Sequence, residues 1–266
     1  MKIVVIGGTG LIGSKLVLQL REHGHEAIAA SPNSGVNTVT GEGLSEVLQG
    51  ASVVVDVSNS PSFEESAAMD FFTRATSNLL KYEHSCKVEH HVALSVVGTD
   101  RLAKERPSDP EKSIRGYFRA KQTQEKLIAE SGIPFSIVHA TQFFEFVKSI
   151  ADASTEGSVV RLPSVLIQPM AADDMASVVR RTAVGAAVNG IVEVAGPQLM
   201  KLDAFVREGL IACDDPRSVV ADPAASYFGV EVGERTLIPD ANARLGEIAF
   251  DTWLTQFAAH MAAAGR

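Results

Sequence analysis

Ile3-Val4-Val5-Ile6-Gly7-Gly8-Thr9-Gly10-Leu11-Ile12-Gly13, followed by an amphipathic run to His23, decides how this chain is read. Four consecutive apolar residues indicate a buried strand, and the glycines that follow indicate a tight turn. Leu16, Val17 and Leu20 then mark one apolar face of a helix, and Gly24 ends it. Gly7 and Gly10 lack the Cβ that would hold a pyrophosphate off the backbone, and Gly13 lets the helix pack close to the strand. Free N–H groups at the helix start carry partial positive charge. Strand, turn and helix together predict a dinucleotide phosphate site at Gly7, Thr9, Gly10, Leu11 and Ile12, where the plain alternative is an ordinary turn.

Working outward, Ala27-Ile28-Ala29-Ala30 reads as a second strand, Glu42 to Gln49 as a helix and Val53-Val54-Val55-Asp56-Val57 as a third strand broken by Asn59-Ser60-Pro61. A helix from about Ser62 to Glu83 leads to Val92-Ala93-Leu94-Ser95-Val96-Val97, closed by Gly98. A polar loop from Lys104 to Pro110 precedes a helix over Glu111 to Ser131, and Phe135-Ser136-Ile137-Val138 is a fifth strand. This strict alternation predicts an α/β fold, a doubly wound parallel sheet with helices on both faces. After about residue 145 it loosens: Val159 to Pro163, Leu166 to Pro169 and Ile191 to Ala195 read as strands, Asp173 to Val184 and Leu202 to Ile211 as helices. Asp214 to Gly246 has no clear boundaries, and a terminal helix follows Trp253.

The chain has 266 residues and a net charge of -8, which argues against phosphate-backbone binding and hence against a nucleic-acid partner. No apolar run is long enough for a membrane span, and strand one starts too early for a signal peptide, so no membrane association and a cytoplasmic location are expected. Cys86 and Cys213 are too far apart to suggest a metal site or a disulfide framework. No metal is expected: His90 and His91, being adjacent, fall on opposite faces of a strand, and Asp173-Asp174 suits a helix N-terminus.

Tyr117 and Lys121 are four apart and share one helix face. A phenol titrates near pH 10, and a neighbouring ammonium would lower that value enough for acid/base work. Such a spacing also arises by chance, so position matters. Ser95 ends the fourth strand at the sheet's carboxyl edge, where its hydroxyl could hold a substrate oxygen beside Tyr117 or simply satisfy local backbone.

The glycine turn, Ser95 and the Tyr117/Lys121 pair, in that order, resemble a short-chain dehydrogenase/reductase. More closely, His90-His91-Val92-Ala93-Leu94-Ser95-Val96-Val97-Gly98-Thr99, Ala140-Thr141-Gln142-Phe143-Phe144-Glu145-Phe146 and Gln168-Pro169-Met170-Ala171-Ala172-Asp173-Asp174 resemble the atypical, NmrA-like branch of NAD(P)-binding proteins. The resemblance implies a Rossmann fold, with residues 1–144 binding NAD(P) and 145–266 forming a smaller C-terminal α+β substrate-binding portion partly interleaved with the sheet. It implies Tyr117 as proton donor or acceptor, Lys121 as the residue holding the nicotinamide ribose and lowering the tyrosine's pKa, and Ser95 as the substrate-orienting hydroxyl. Phe72 falls where many members carry an Asn that supports a proton relay, so a relay through that position is not expected.

An acidic residue at the end of strand two would favour NAD, but Ser31 stands there, followed by Asn33 and Ser34. Without that carboxylate a 2′-phosphate is not repelled, so NADP is expected as cofactor, with NAD possible. Val57, Ser58 and Asn59 should pass beside the cofactor's middle. Gln142, Phe143, Phe144 and Phe146 would line an apolar substrate pocket, unless they are only core. Three functions fit: an oxidoreductase acting on an apolar or aromatic carbonyl or quinone, a non-catalytic redox sensor or regulator, and a tailoring enzyme of aromatic polyketide biosynthesis. The expected partner is a small-molecule substrate, and the expected state a monomer or homodimer.

Overall fold

Apolar runs become strands and amphipathic runs become helices in strict order through the first half of the computed structural model, which describes residues 1–105, 107–108 and 113–264. The elements are β1 (Lys2–Ile6), α1 (Leu11–Glu22), β2 (Glu26–Ala30), α2 (Leu44–Leu48), β3 (Val53–Asp56), α3 (Glu65–Cys86), β4 (His90–Val96), α4 (Thr99–Leu102), α5 (Arg115–Glu130) and β5 (Phe135–Ala140). The second half adds α6 (Val147–Ala153), β6 (Thr155–Glu156), β7 (Val159–Leu162), β8 (Leu166–Ile167), α7 (Ala172–Val184), β9 (Gly190–Ala195), β10 (Met200–Lys201), α8 (Leu202–Ala212), β11 (Ser218–Ala221), β12 (Arg244–Leu245) and α9 (Phe250–Ala264). The expected start of the fifth helix at Glu111, part of the loop before it, and Gly265-Arg266 of the expected terminal helix lie outside the described residues.

The main sheet runs β12-β9-β5-β4-β3-β1-β2, and its pairings are parallel. Helices cover both faces, which is why β1 and β3 read as unbroken apolar runs and not as alternations. The chain leaves β1 for β2 on one side and returns through β3 on the other, so strand order reverses between β1 and β3. In doubly wound sheets the ligand crevice opens at that reversal, beyond the carboxyl ends of the strands.

Two helical layers sandwich this crevice. Leu16, Val17 and Leu20 of α1 pack with Met175, Val178 and Val179 of α7 on one face. Leu44, Leu48 and Leu79 of α2 and α3 pack on the other. The chain beyond residue 145 thus returns to the sheet through α7, β9 and β12, and also builds a small sheet in the order β11-β7-β6. The ambiguous stretch Asp214 to Gly246 contains β11 and β12, whose four and two residues are too short to show a period. His90 and His91 lie within β4, and they point to different partners: His90 Nε2 is 2.9 Å from Ser136 Oγ, His91 Nδ1 2.8 Å from Glu83. No helix among the described residues is long and apolar enough to cross a membrane, and no cluster of three metal-ligating side chains occurs among them.

A second core holds the C-terminal elements. Phe144 sits 5.0 Å from Phe250, 5.6 Å from Trp253 and 6.3 Å from Phe205, centroid to centroid, and is 1% exposed. Truncating a buried phenylalanine in such a cluster removes both apolar burial and packing. Phe144→Ala is expected to lower stability by about 3–5 kcal/mol in urea unfolding, with dinucleotide affinity retained.

Candidate functional site

Three absent Cβ atoms set the geometry of the glycine turn. Gly7 has φ +75°, and a Cβ there would come within 2.9 Å of the Ser58 amide nitrogen. A Cβ on Gly8 would meet the Ala29 Cα at 2.6 Å, and one on Gly13 would collide with the Gly7 carbonyl. Gly10 differs: a Cβ there meets only the Gly7 carbonyl, at 3.3 Å, so its outer side is open. α1 starts at Leu11 with no side-chain cap on its first-turn N–H groups. An unblocked backbone and an uncapped helix start fit a pyrophosphate.

From this turn a cavity of about 780 Å³ crosses the carboxyl edge of the sheet. Gly7, Thr9, Gly10, Leu11 and Ile12 line one end with Ser31, and Val57, Ser58 and Asn59 line the middle. Among the described residues the buried Ser31 hydroxyl has no hydrogen-bond partner, and it lies at the strand end where a dinucleotide site meets the adenosine ribose. That unsatisfied group and the open Gly10 both fit a nicotinamide dinucleotide. Asn33 and Ser34, expected as contacts, lie outside the wall. Ser34 Oγ instead donates to the Ser31 carbonyl, closing a turn on itself. Asn37, Thr38 and Val39 take their place, held by Asn78, whose Nδ2 donates to the Thr38 and Val39 carbonyls at 2.8 and 3.0 Å. No periodicity or motif marks this segment.

Tyr117 and Lys121 both line the cavity from α5, but their side chains serve different neighbours. The Tyr117 hydroxyl donates to Asn59 Oδ1 at 2.9 Å. Lys121 Nζ donates to the Leu94 carbonyl at 2.8 Å and to Gln124 Oε1, and sits 4.6 Å above the Phe72 ring. Gln124 in turn donates to Asp56 Oδ2 at 3.1 Å. The expected lowering of the tyrosine by the ammonium is absent in this arrangement: burial pushes the Tyr117 phenol above its ordinary value of 10. Burial also pulls Lys121 down to about 8, against the attraction of Asp56 and Glu125. Phe72 packs at 5.8 Å from Tyr117, so an aromatic ring does occupy the space beside the pair.

Ser95 also borders the cavity, and its hydroxyl has a protein partner. It donates to Glu125 Oε1 on α5, an oxygen also 3.0 Å from His139 Nε2. Glu125 lies one helical turn beyond Lys121, so both α5 side chains reach the end of β4, Lys121 at the Leu94 carbonyl and Glu125 at the Ser95 hydroxyl. Gln142, Phe143 and Phe146 line the far end with Phe63, Phe71 and Tyr227, whereas Phe144 belongs to the C-terminal core and not to this pocket. Asp173 pairs with Lys15 at 2.9 Å, and Asp174 accepts from the amides of Glu247 and Ile248, so the acidic pair ties elements together.

The Lys121 displacement carries a pH dependence with a definite sign. A lysine at about 8 when folded and 10.5 when unfolded is neutral in the folded state but charged in the unfolded state between those values. The unfolded chain binds more protons there, so stability rises as pH goes from about 8 to 10.5. Lys121→Met is expected to abolish that rise, measured as the urea midpoint across the same range.

Residues 7–146 match the family model described as NAD(P)H-binding. No protein of curated function matches the chain. Among solved structures, dTDP-4-dehydrorhamnose reductase from Bacillus anthracis str. Ames in complex with NADP superposes with TM-score 0.72 at 14% identity, covering 97% of this chain and 99% of that one. UDP-glucose 4-epimerase from Thermus thermophilus, in complex with NAD, gives 0.72 at 16% identity, over 98% and 99%. A short-chain dehydrogenase/reductase superfamily protein from Agrobacterium tumefaciens with bound NAD gives 0.72 at 15%, over 99% and 98%. These similarities show a shared fold, and the family match spans more than half of the 266 residues. The chain therefore belongs to the NAD(P)H-binding family and has the fold of the short-chain dehydrogenase/reductases that its glycine turn and Tyr117/Lys121 pair resemble.

Proposed function

We propose that this protein is an NAD(P)H-dependent oxidoreductase that reduces an uncharged apolar or aromatic carbonyl or quinone, with Tyr117 as its acid/base. The observation that carries this is the placement of Tyr117 in one continuous cavity, between a glycine turn suited to pyrophosphate and an end lined by Phe63, Phe71, Phe143 and Phe146. Lys121 is the single Lys or Arg among the described lining residues, and its amine is taken up by Leu94 and Gln124. Among the described residues a sugar-nucleotide diphosphate would find no free cation at the aromatic end, which favours an uncharged substrate over those named for the reductase and epimerase neighbours.

The nicotinamide, when bound, supplies or accepts the hydride. The chain's own part is to hold the substrate between aromatic walls, exclude water and pass a proton. In the reducing direction the Tyr117 O–H bond breaks, its proton joins the carbonyl oxygen as hydride reaches the carbonyl carbon, and the phenolate left behind regains a proton from solvent. Ser95, tied to Glu125, fixes the end of β4 against α5 and thereby the height of Lys121. Residues after 145 supply Phe146 and Tyr227 to the pocket, consistent with a substrate-binding role for that half. NADP is favoured over NAD because no carboxylate replaces Ser31 to repel a 2′-phosphate.

A second reading, a redox-sensing binding protein, is supported by the raised Tyr117 phenol and by the diversion of Lys121 to Gln124. A tailoring role on an aromatic polyketide would use the same pocket. Calorimetric titration with NADPH and NADH, followed by cofactor consumption at 340 nm with quinones and aromatic ketones, separates them. Tyr117→Phe is expected to leave NADPH affinity within about twofold and lower turnover on the order of a hundredfold or more; equal turnover would overturn the acid/base role. Gly10→Val is expected to abolish NADPH binding by filling the open side of the turn, with the melting temperature close to wild type.

A further inference from the structure

The Tyr117 hydroxyl has a single hydrogen-bond partner among the described residues, and that partner is not the lysine. It is Asn59, an exposed residue in the segment after β3. Around the ring stand three others, Phe63 before α3, Phe72 on α3 and Phe118 on α5, with centroids at 5.2, 5.8 and 5.5 Å. The next two charged groups on α5 are Arg119, which pairs with Glu65 at 3.2 Å, and Lys121, whose Nζ is turned to Leu94, Gln124 and the face of Phe72. Phenol ionisation in this cage therefore depends on what Asn59 offers.

An amide is suited to both protonation states. Its Oδ1 accepts from the phenol, as it does here while also accepting from the Ser60 amide at 3.0 Å. A half-turn of the same amide presents Nδ2–H to a phenolate. A carboxylate would accept from the phenol but repel the phenolate, and an aliphatic side chain would do neither. We infer that Asn59 is a positioning residue that sets the ionisation of Tyr117, by accepting from its phenol and donating to its phenolate where the aromatic rings leave the hydroxyl a polar partner. The functional consequence rests on the acid/base reading of Tyr117, whereas the contact itself does not.

The test uses the ligand-free full chain with tetrafluorotyrosine placed at position 117 alone, whose ring fluorines acidify the phenol into an accessible pH range. Its ionisation is followed by the 19F resonance in wild type, Asn59→Asp, Asn59→Leu and Asn59→Gln. The expected result is a midpoint raised by about one pH unit or more in Asn59→Asp, raised also in Asn59→Leu, and returned toward wild type in Asn59→Gln, which keeps the amide. Asn59 is exposed, so all three variants should fold, which circular dichroism checks. A midpoint that is the same in all four proteins would overturn the inference. The acid/base reading is judged separately, by the loss of turnover in Tyr117→Phe.

Discussion

Everything in this molecule depends on three places where a side chain is missing. Gly7 lies against the backbone of Ser58, Gly8 against Ala29 and Gly13 against the Gly7 carbonyl, so β1, β2, β3 and α1 converge within van der Waals reach of one turn. Any Cβ at Gly8 or Gly13 would drive these elements apart by more than a packed interior can absorb. Gly10 is the least crowded of the four, with the Gly7 carbonyl alone at 3.3 Å from a Cβ there, so it is the position where the absence of a side chain most directly serves a ligand. The reversal of strand order between β1 and β3 then places the cavity at this same point.

Beside the cavity a chain of buried polar groups links α5 to the ends of β3 and β4. Asp56 at the end of β3 receives Gln124, Gln124 receives Lys121, and Lys121 also caps the Leu94 carbonyl. A buried charge costs several kcal/mol unless paired and hydrogen-bonded, so these groups hold together as a whole. The Phe72 ring packs under the lysine's amine and beside the tyrosine. The pair that resembles a tyrosine and lysine acting in concert is thus divided: one side chain is anchored to the sheet, the other to the cavity rim.

Much of this was legible in the sequence, and the limits have physical causes. The first half could be read because buried parallel strands and amphipathic helices each have a period, and because Gly7 to Gly13 combine turn, strand and helix signals in one stretch. The shared face of Tyr117 and Lys121 followed from helix geometry alone. What their atoms touch did not, since hydrogen bonds such as Tyr117 to Asn59 span 58 positions of sequence. Ser95 was correctly placed at a strand end, but strand position does not say that Glu125 will claim its hydroxyl. Phe143, Phe144 and Phe146 look alike in sequence, and a short 3-10 turn over Phe144–Phe146 sends one to the core and two to the pocket. Asn37 to Val39 form a local turn, with Asn37 Oδ1 accepting from the Val39 amide, but nothing in that turn says that Asn78 on a distant helix will hold it at the cavity wall.

The stretch that matches the family ends at residue 146, yet the layer covering α1 does not. Leu16, Val17 and Leu20 are buried in part by α7, Lys15 pairs with Asp173 at its start, and β9 shields the outer edge of β5. The unit of ancestry and the unit of folding therefore have different lengths: the recognisable half is not an autonomous module to which a variable half has been appended. Change in the later residues is constrained by α1, the helix that follows the glycine turn, so any new specificity there has to be written into a segment that is also the chain's scaffold.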